Sequence, residues 1–137
     1  MPKQPKISAA QFQATSSNEH LEQKHVFDYI DLMLNIYPHW ESIYAIPNAG
    51  KRSYGALQYY IQEGMKPGMI DWCAPFARGP FHSLYVEMKW GKKTHKANQP
   101  RENQVYRIEL LRSLGNKVEV CYGFEEAKAV LLEYENL

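Results

Sequence analysis

The sequence predicts an α/β domain in which a mixed β-sheet is flanked by helices. Three observations carry that expectation. Stripes of apolar residues at helical spacing alternate along the chain with short apolar runs of strand character. Two of those runs follow one another in the middle of the sequence with only a turn between them, which argues for a mixed sheet rather than a regular βαβ winding. The length of 137 residues and a hydrophobic fraction of 45% suit a single domain with a real core.

Residues 1–15 mix Lys, Gln, Pro and Ser without period and are expected to form a flexible arm, leaving 16–137 as one domain. Ser16 and Ser17 open a helix whose apolar positions Val26, Ile30, Met33, Leu34 and Tyr37 share a stripe, and Pro38 helps to end it. Ser42 to Ile46 is a strand candidate, stopped by Pro47-Asn48-Ala49-Gly50. Residues 53–63 read as a Tyr-rich helix, and Lys66-Pro67-Gly68 as a turn. Met69 to Pro75 and Ser83 to Lys89 read as strands joined through Arg78-Gly79-Pro80. A basic loop from Trp90 to Lys96 leads into a helix over 98–114. A strand follows over Lys117 to Tyr122, and a final helix over Phe124 to Tyr134.

Composition narrows the function classes. A net charge of +1 gives no global basic field, so any nucleic-acid contact must come from local clusters. The two cysteines, Cys73 and Cys121, lie in separate apolar runs outside any CxxC pattern and read as buried free thiols of a reducing compartment. No apolar run approaches the roughly 20 residues that span a bilayer, and residues 1–15 lack the apolar stretch of a signal peptide. The expectation is a soluble, cytoplasmic protein, or a phage-encoded one acting inside a host cell. His20, His25, His39, His82 and His95 show no HExxH spacing, so zinc is not expected. Neither GxGxxG nor GxxxxGK[ST] is present, so no nucleotide cofactor is expected.

The informative residues are Asp71, Glu87 and Lys89. Asp71 is a carboxylate at the start of an apolar run, and strand periodicity puts Glu87 and Lys89 on one face of the next. If the two strands pair as a hairpin, the carboxylates converge and repel. Hard oxygen ligands of this kind suit Mg²⁺ or Mn²⁺, which keep several waters and accept a substrate phosphate oxygen. A lysine beside them can orient a water or stabilise transition-state charge. Taken alone, an acid and a lysine two residues apart are more often a solvated pair worth up to about 1 kcal/mol. The ordered combination on adjacent apolar strands shifts the reading toward phosphodiester chemistry.

These residues resemble the PD-(D/E)XK nuclease superfamily, and within it the VRR-NUC (virus-type replication–repair nuclease) domain. Lys66-Pro67-Gly68-Met69-Ile70-Asp71 is similar to that family's KPGxxD segment, with Ile70 where proline is frequent. Val86-Glu87-Met88-Lys89 is similar to its ExK strand, and Gln104, followed by Leu111 and Leu114-Gly115, to its Q-helix. Ile46-Pro47-Asn48-Ala49-Gly50-Lys51-Arg52 resembles its PNxGxR loop, and Glu19 with Gln23 an N-terminal ExxxQ helix. The likeness spans about residues 18–136. It implies a restriction-endonuclease-like core, dependence on Mg²⁺ or Mn²⁺, and structure-selective DNA cleavage on branched or duplex DNA in replication and repair. It also implies a homodimer and the Met88 carbonyl as a further metal ligand beside Asp71 and Glu87.

Supporting positions follow from periodicity. Glu19 lies at the centre of the stripe formed by Gln23, Val26, Ile30 and Tyr37, with Glu22 about 60° away. Ser16-Ser17-Asn18-Glu19 also fits a capping box. Gln104 shares a stripe with Ile108 and Leu111 and is expected to face the sheet. The expected catalytic set is therefore Glu19, Asp71, Glu87, Lys89 and Gln104. Asn48, Lys51, Arg52, Lys92, Lys93 and Lys96 are candidate DNA contacts, with Trp90 and His95 among the last three and Arg101 close by. A catalytically inactive DNA-binding module on the same fold is the alternative.

Overall fold

The computed structural model describes residues 18–47 and 53–137. Its elements are α1 (Asn18–Leu32), β1 (Tyr44–Ala45), α2 (Tyr54–Gln62), β2 (Trp72–Ala74), β3 (Leu84–Lys89), α3 (Glu102–Ser113), β4 (Lys117–Tyr122) and α4 (Phe124–Glu135). Type and order agree with the sequence expectation. The sheet runs β1-β2-β3-β4, antiparallel across the first two junctions and parallel across the last. The parallel pair needs a crossover, and α3 supplies it.

Alternation along β3 divides the molecule into layers. Leu84, Val86 and Met88 join Val26 and Ile30 of α1 and Ala127, Leu131 and Tyr134 of α4 in the larger core. Tyr85 packs instead in a smaller core with Ile70, Ile108 and Val118, beneath α3. Glu87 therefore shares the α3 side of the strand with Tyr85. Cys73 and Cys121 are buried and free, and no described helix is long and apolar enough to cross a membrane.

Four boundaries move. The strand expected over Met69 to Pro75 keeps only Trp72–Ala74, because the Asp71 side chain takes the place of the backbone ladder at Met88 N–H. The first helix stops at Leu32, because the wholly buried Trp40 draws the chain into a 3-10 turn over Pro38–Ser42. Tyr37 stacks on that indole at 4.5 Å instead of extending the helical stripe. That turn consumes Ser42, so β1 shrinks to two residues, although Ile46 N–H still reaches the Asp71 carbonyl at 2.8 Å. The helix expected from 98 starts at Glu102, since Pro100 interrupts the run and Gln104 turns back to accept from Arg101 N–H at 2.9 Å. Its far end matches, with Gly115 at φ +92° beyond the last turn. Helix α2 is capped by Ser53, whose Oγ accepts from Ala56 N–H at 3.2 Å, and buries none of its residues.

Candidate active site

Asp71 stands one residue before β2, held from both sides. The antiparallel register pairs Trp72 with Val86 and Cys73 with Tyr85, so its continuation by one step sets Asp71 across from Glu87. At that step the backbone ladder gives way to a side chain, and Asp71 Oδ2 accepts from Met88 N–H at 2.6 Å. Its own carbonyl meanwhile takes the Ile46 N–H. A carboxylate bonded through both its side chain and its carbonyl has little freedom to turn away.

Glu87 is 1% exposed, which is rare for a carboxylate. Its Oε1 accepts from Gln104 Nε2 at 2.7 Å and lies 3.5 Å from Lys89 Nζ. Lys89 donates to Gln104 Oε1 at 2.9 Å. Gln104 thus bridges acid and base, as its inward stripe predicts, while its oxygen also closes the first turn of α3. The second oxygen of Glu87, Oε2, is buried with no protein partner.

Burial pushes both carboxyls above the ordinary carboxylate range. For Glu87 the Asp71 charge adds to this and Lys89 partly opposes it. For Asp71 the Met88 N–H opposes burial, and Lys89 and a hydrogen bond with the Glu87 carboxyl do so more weakly. The negative charge of Glu19 raises both, so Glu19 is electrically part of the group. Such a site has a deficit of positive charge and one unsatisfied oxygen, and a hard divalent cation answers both. Among the described residues no three His, Cys, Asp or Glu side chains come together as a metal-holding group. The arrangement is an open carboxylate pair rather than a closed cage of side chains.

A cleft of about 610 Å³ opens on the α1 side of this pair. Asp71 and Met88 lie at its base, with Glu19, Gln23 and Phe27 on one wall and Ile46 and Pro47 on the other. Glu22, the competitor for the helix carboxylate, turns elsewhere and accepts from Phe124 N–H at 2.7 Å. In the basic loop Lys92 and Lys96 are exposed. Lys93 is exposed like its neighbours, with Glu126 of α4 as an ion-pair partner and the Tyr122 ring 5.6 Å away. Asn48, Lys51, Arg52 and the helix-opening Ser16 and Ser17 lie outside the described residues. Sequence reasoning missed the Met88 N–H that fixes Asp71, since backbone donors leave no residue-type signal.

A solved structure of a protein named VRR_NUC domain protein has a TM-score of 0.61 to this one, covering 82% of this chain and 89% of that chain. The chain has the VRR-NUC fold. Sequence identity is 21%, so what is shared is backbone architecture. No family model matches the chain, and no curated protein does. Within this VRR-NUC fold, Asp71, Glu87, Lys89 and Gln104 come together at the open end of the β2–β3 hairpin.

Proposed function

We propose that the chain is a divalent-metal-dependent endonuclease that hydrolyses DNA phosphodiester bonds. The observation that carries this reading is the buried, unpartnered Oε2 of Glu87 beside Asp71, with Lys89 in the same hydrogen-bonded group. A structural salt bridge would satisfy its carboxylate; this one stays partly unsatisfied beside Asp71, which lines an open cleft.

Asp71 and Glu87 would hold Mg²⁺ or Mn²⁺, with the Met88 carbonyl as a further ligand. When bound, the cation supplies Lewis-acid polarisation of the scissile phosphate and a water of lowered pKa. Lys89 presents its ammonium where negative charge develops on the phosphate, and its hydrogen bond to Gln104 fixes that direction. Gln104 holds Glu87 and Lys89 at their working separation, while Glu19 adds negative charge on the cleft side. Lys92 and Lys96, exposed just beyond the catalytic strand, take backbone phosphates.

Structure-selective cutting of branched DNA by a two-fold homodimer extends this proposal by analogy of fold. The test is a panel of four-way junctions, flaps, duplexes and single strands incubated with Mg²⁺, Mn²⁺ or chelator. Metal-dependent cleavage, abolished in a folded Asp71→Ala variant, is the expected result. Equal cleavage by that variant would overturn the assignment, and binding without cleavage or a saturable Mn²⁺ site would favour the inactive binding module.

A further inference from the structure

We infer that Glu22 is a positioning residue, one that holds the first turns of α1 so that Glu19 faces the acidic pair. The inference rests on the reading of that pair as the catalytic centre. Three residues of α1, spaced i, i+3 and i+7, meet Phe124 at the start of α4. Glu22 Oε2 accepts its N–H at 2.7 Å. The rings of His25 and Tyr29 approach the Phe124 ring edge-on, with centroids 6.2 and 5.9 Å away. Contacts along one stripe fix the rotation of a helix about its own axis.

Glu19 lies three residues earlier, about 4.5 Å along the axis and about 60° around it. The rotation that satisfies Glu22 is thus the rotation that sets Glu19 in the cleft with Asp71 and Met88. Val26 and Ile30 anchor the later turns of α1 in the main core. Among residues 18–25 none is fully buried, and the Glu22–Phe124 bond is a long-range contact that helps place these turns.

The corner that Glu22 grips is itself tied to the catalytic strand. Gly123 precedes Phe124 at φ +97°, a conformation that glycine adopts without strain. Its N–H donates to the Lys89 carbonyl at 3.2 Å. A covalent and hydrogen-bonded path therefore runs from Glu22 through Phe124 and Gly123 to Lys89. The partial positive charge at the α4 N-terminus favours a carboxylate at this point. Glu22 in this account touches neither substrate nor metal, and it acts through Glu19.

The test compares Glu22→Ala, Glu22→Gln, Glu19→Ala and the double alanine variant. In metal-free protein, amide exchange at residues 22–25 is expected to quicken in Glu22→Ala, while 26–32 stay protected. Glu22→Gln keeps an accepting oxygen and should remain close to wild type. In cleavage assays Glu22→Ala should lower kcat about 10-fold with little change in KM, in line with the usual effect of supporting residues. It should add nothing in the Glu19→Ala background. Unchanged exchange, or equal losses in both backgrounds, would overturn the inference and leave Glu22 an ordinary helix cap. Wild-type protein inactive on every DNA with both metals would instead remove the nuclease reading, with the exchange data still deciding whether Glu22 anchors α1.

Discussion

Two glutamates, Glu87 buried and Glu135 half-buried, differ in their surroundings in one respect. Glu135 of α4 accepts from Trp40 Nε1 at 3.1 Å and from Arg78 Nη2 at 3.2 Å, with His39 Nε2 at 2.8 Å. Burial alone would raise its pKa, but the hydrogen bonds from His39, Trp40 and Arg78 outweigh it and hold the carboxyl below its ordinary range. Glu87 is more deeply buried, yet one of its oxygens has no protein partner and its pKa is pushed up. The first arrangement ties Trp40 and the 3-10 turn to the last helix and is complete as it stands. For Glu87 we propose that a bound cation completes the set. The two carboxylates thus differ in hydrogen-bond donors, a full set on Glu135 and a missing one on Glu87.

The sharpest way to break this comparison is to make the same substitution at both sites. Glu87→Gln should lower cleavage by more than about 10³-fold if, as proposed, it removes a metal ligand, a larger loss than the 10²–10³-fold typical of a single stabilising donor. The metal-free variant should melt at the same temperature as wild type or higher, because a repulsion with Asp71 disappears. Clear destabilisation with retained activity would exchange the roles assigned to the two glutamates.

Lys89→Ala should cost about 10²–10³-fold in kcat, the usual range for losing one transition-state stabilising group. Single-turnover cleavage measures this directly, and loss confined to KM would place Lys89 in DNA binding instead. Gln104→Ala should cost about 10–100-fold in activity or metal affinity, because it supports Glu87 and Lys89 without replacing either. Mn²⁺ titration of the variant separates the two effects.

Glu135→Gln should leave cleavage by folded protein unchanged but lower stability by about 1.5–3 kcal/mol, the range for hydrogen bonds to charged groups. The sign with pH follows from its lowered carboxyl. The contribution is fully present above the ordinary value of 4.5 and is lost as pH falls through the lower folded value. The stability gap between wild type and variant should therefore be widest near neutral pH and close in acid, as denaturant melts at several pH values would show.

Much of this was readable from residue order because its determinants are local or periodic. Helical stripes and strand alternation place the eight elements, and the spacing of Glu87 and Lys89 fixes their common face. Gln104 falls inward with Ile108 for the same reason. What could not be read depends on contacts between distant segments. The Glu22–Phe124 cap joins residues 102 positions apart, and the Glu135–His39 pair residues 96 apart. The Lys93–Glu126 pair likewise joins a loop lysine to a distant helix. Trp40 shortened both its neighbours because a large ring seeking full burial overrides the periodicity around it.

The bond from Met88 N–H to Asp71 has a consequence for assembly. Sliding β2 past β3 by a single residue would leave Asp71 facing the wrong amide and a neighbouring apolar residue across from Glu87. Correct strand alignment and the meeting of Asp71 with Glu87 are then one and the same event. A preparation's cleaving fraction should count its correctly aligned hairpins, and molecules trapped in a neighbouring alignment would be inert rather than sluggish.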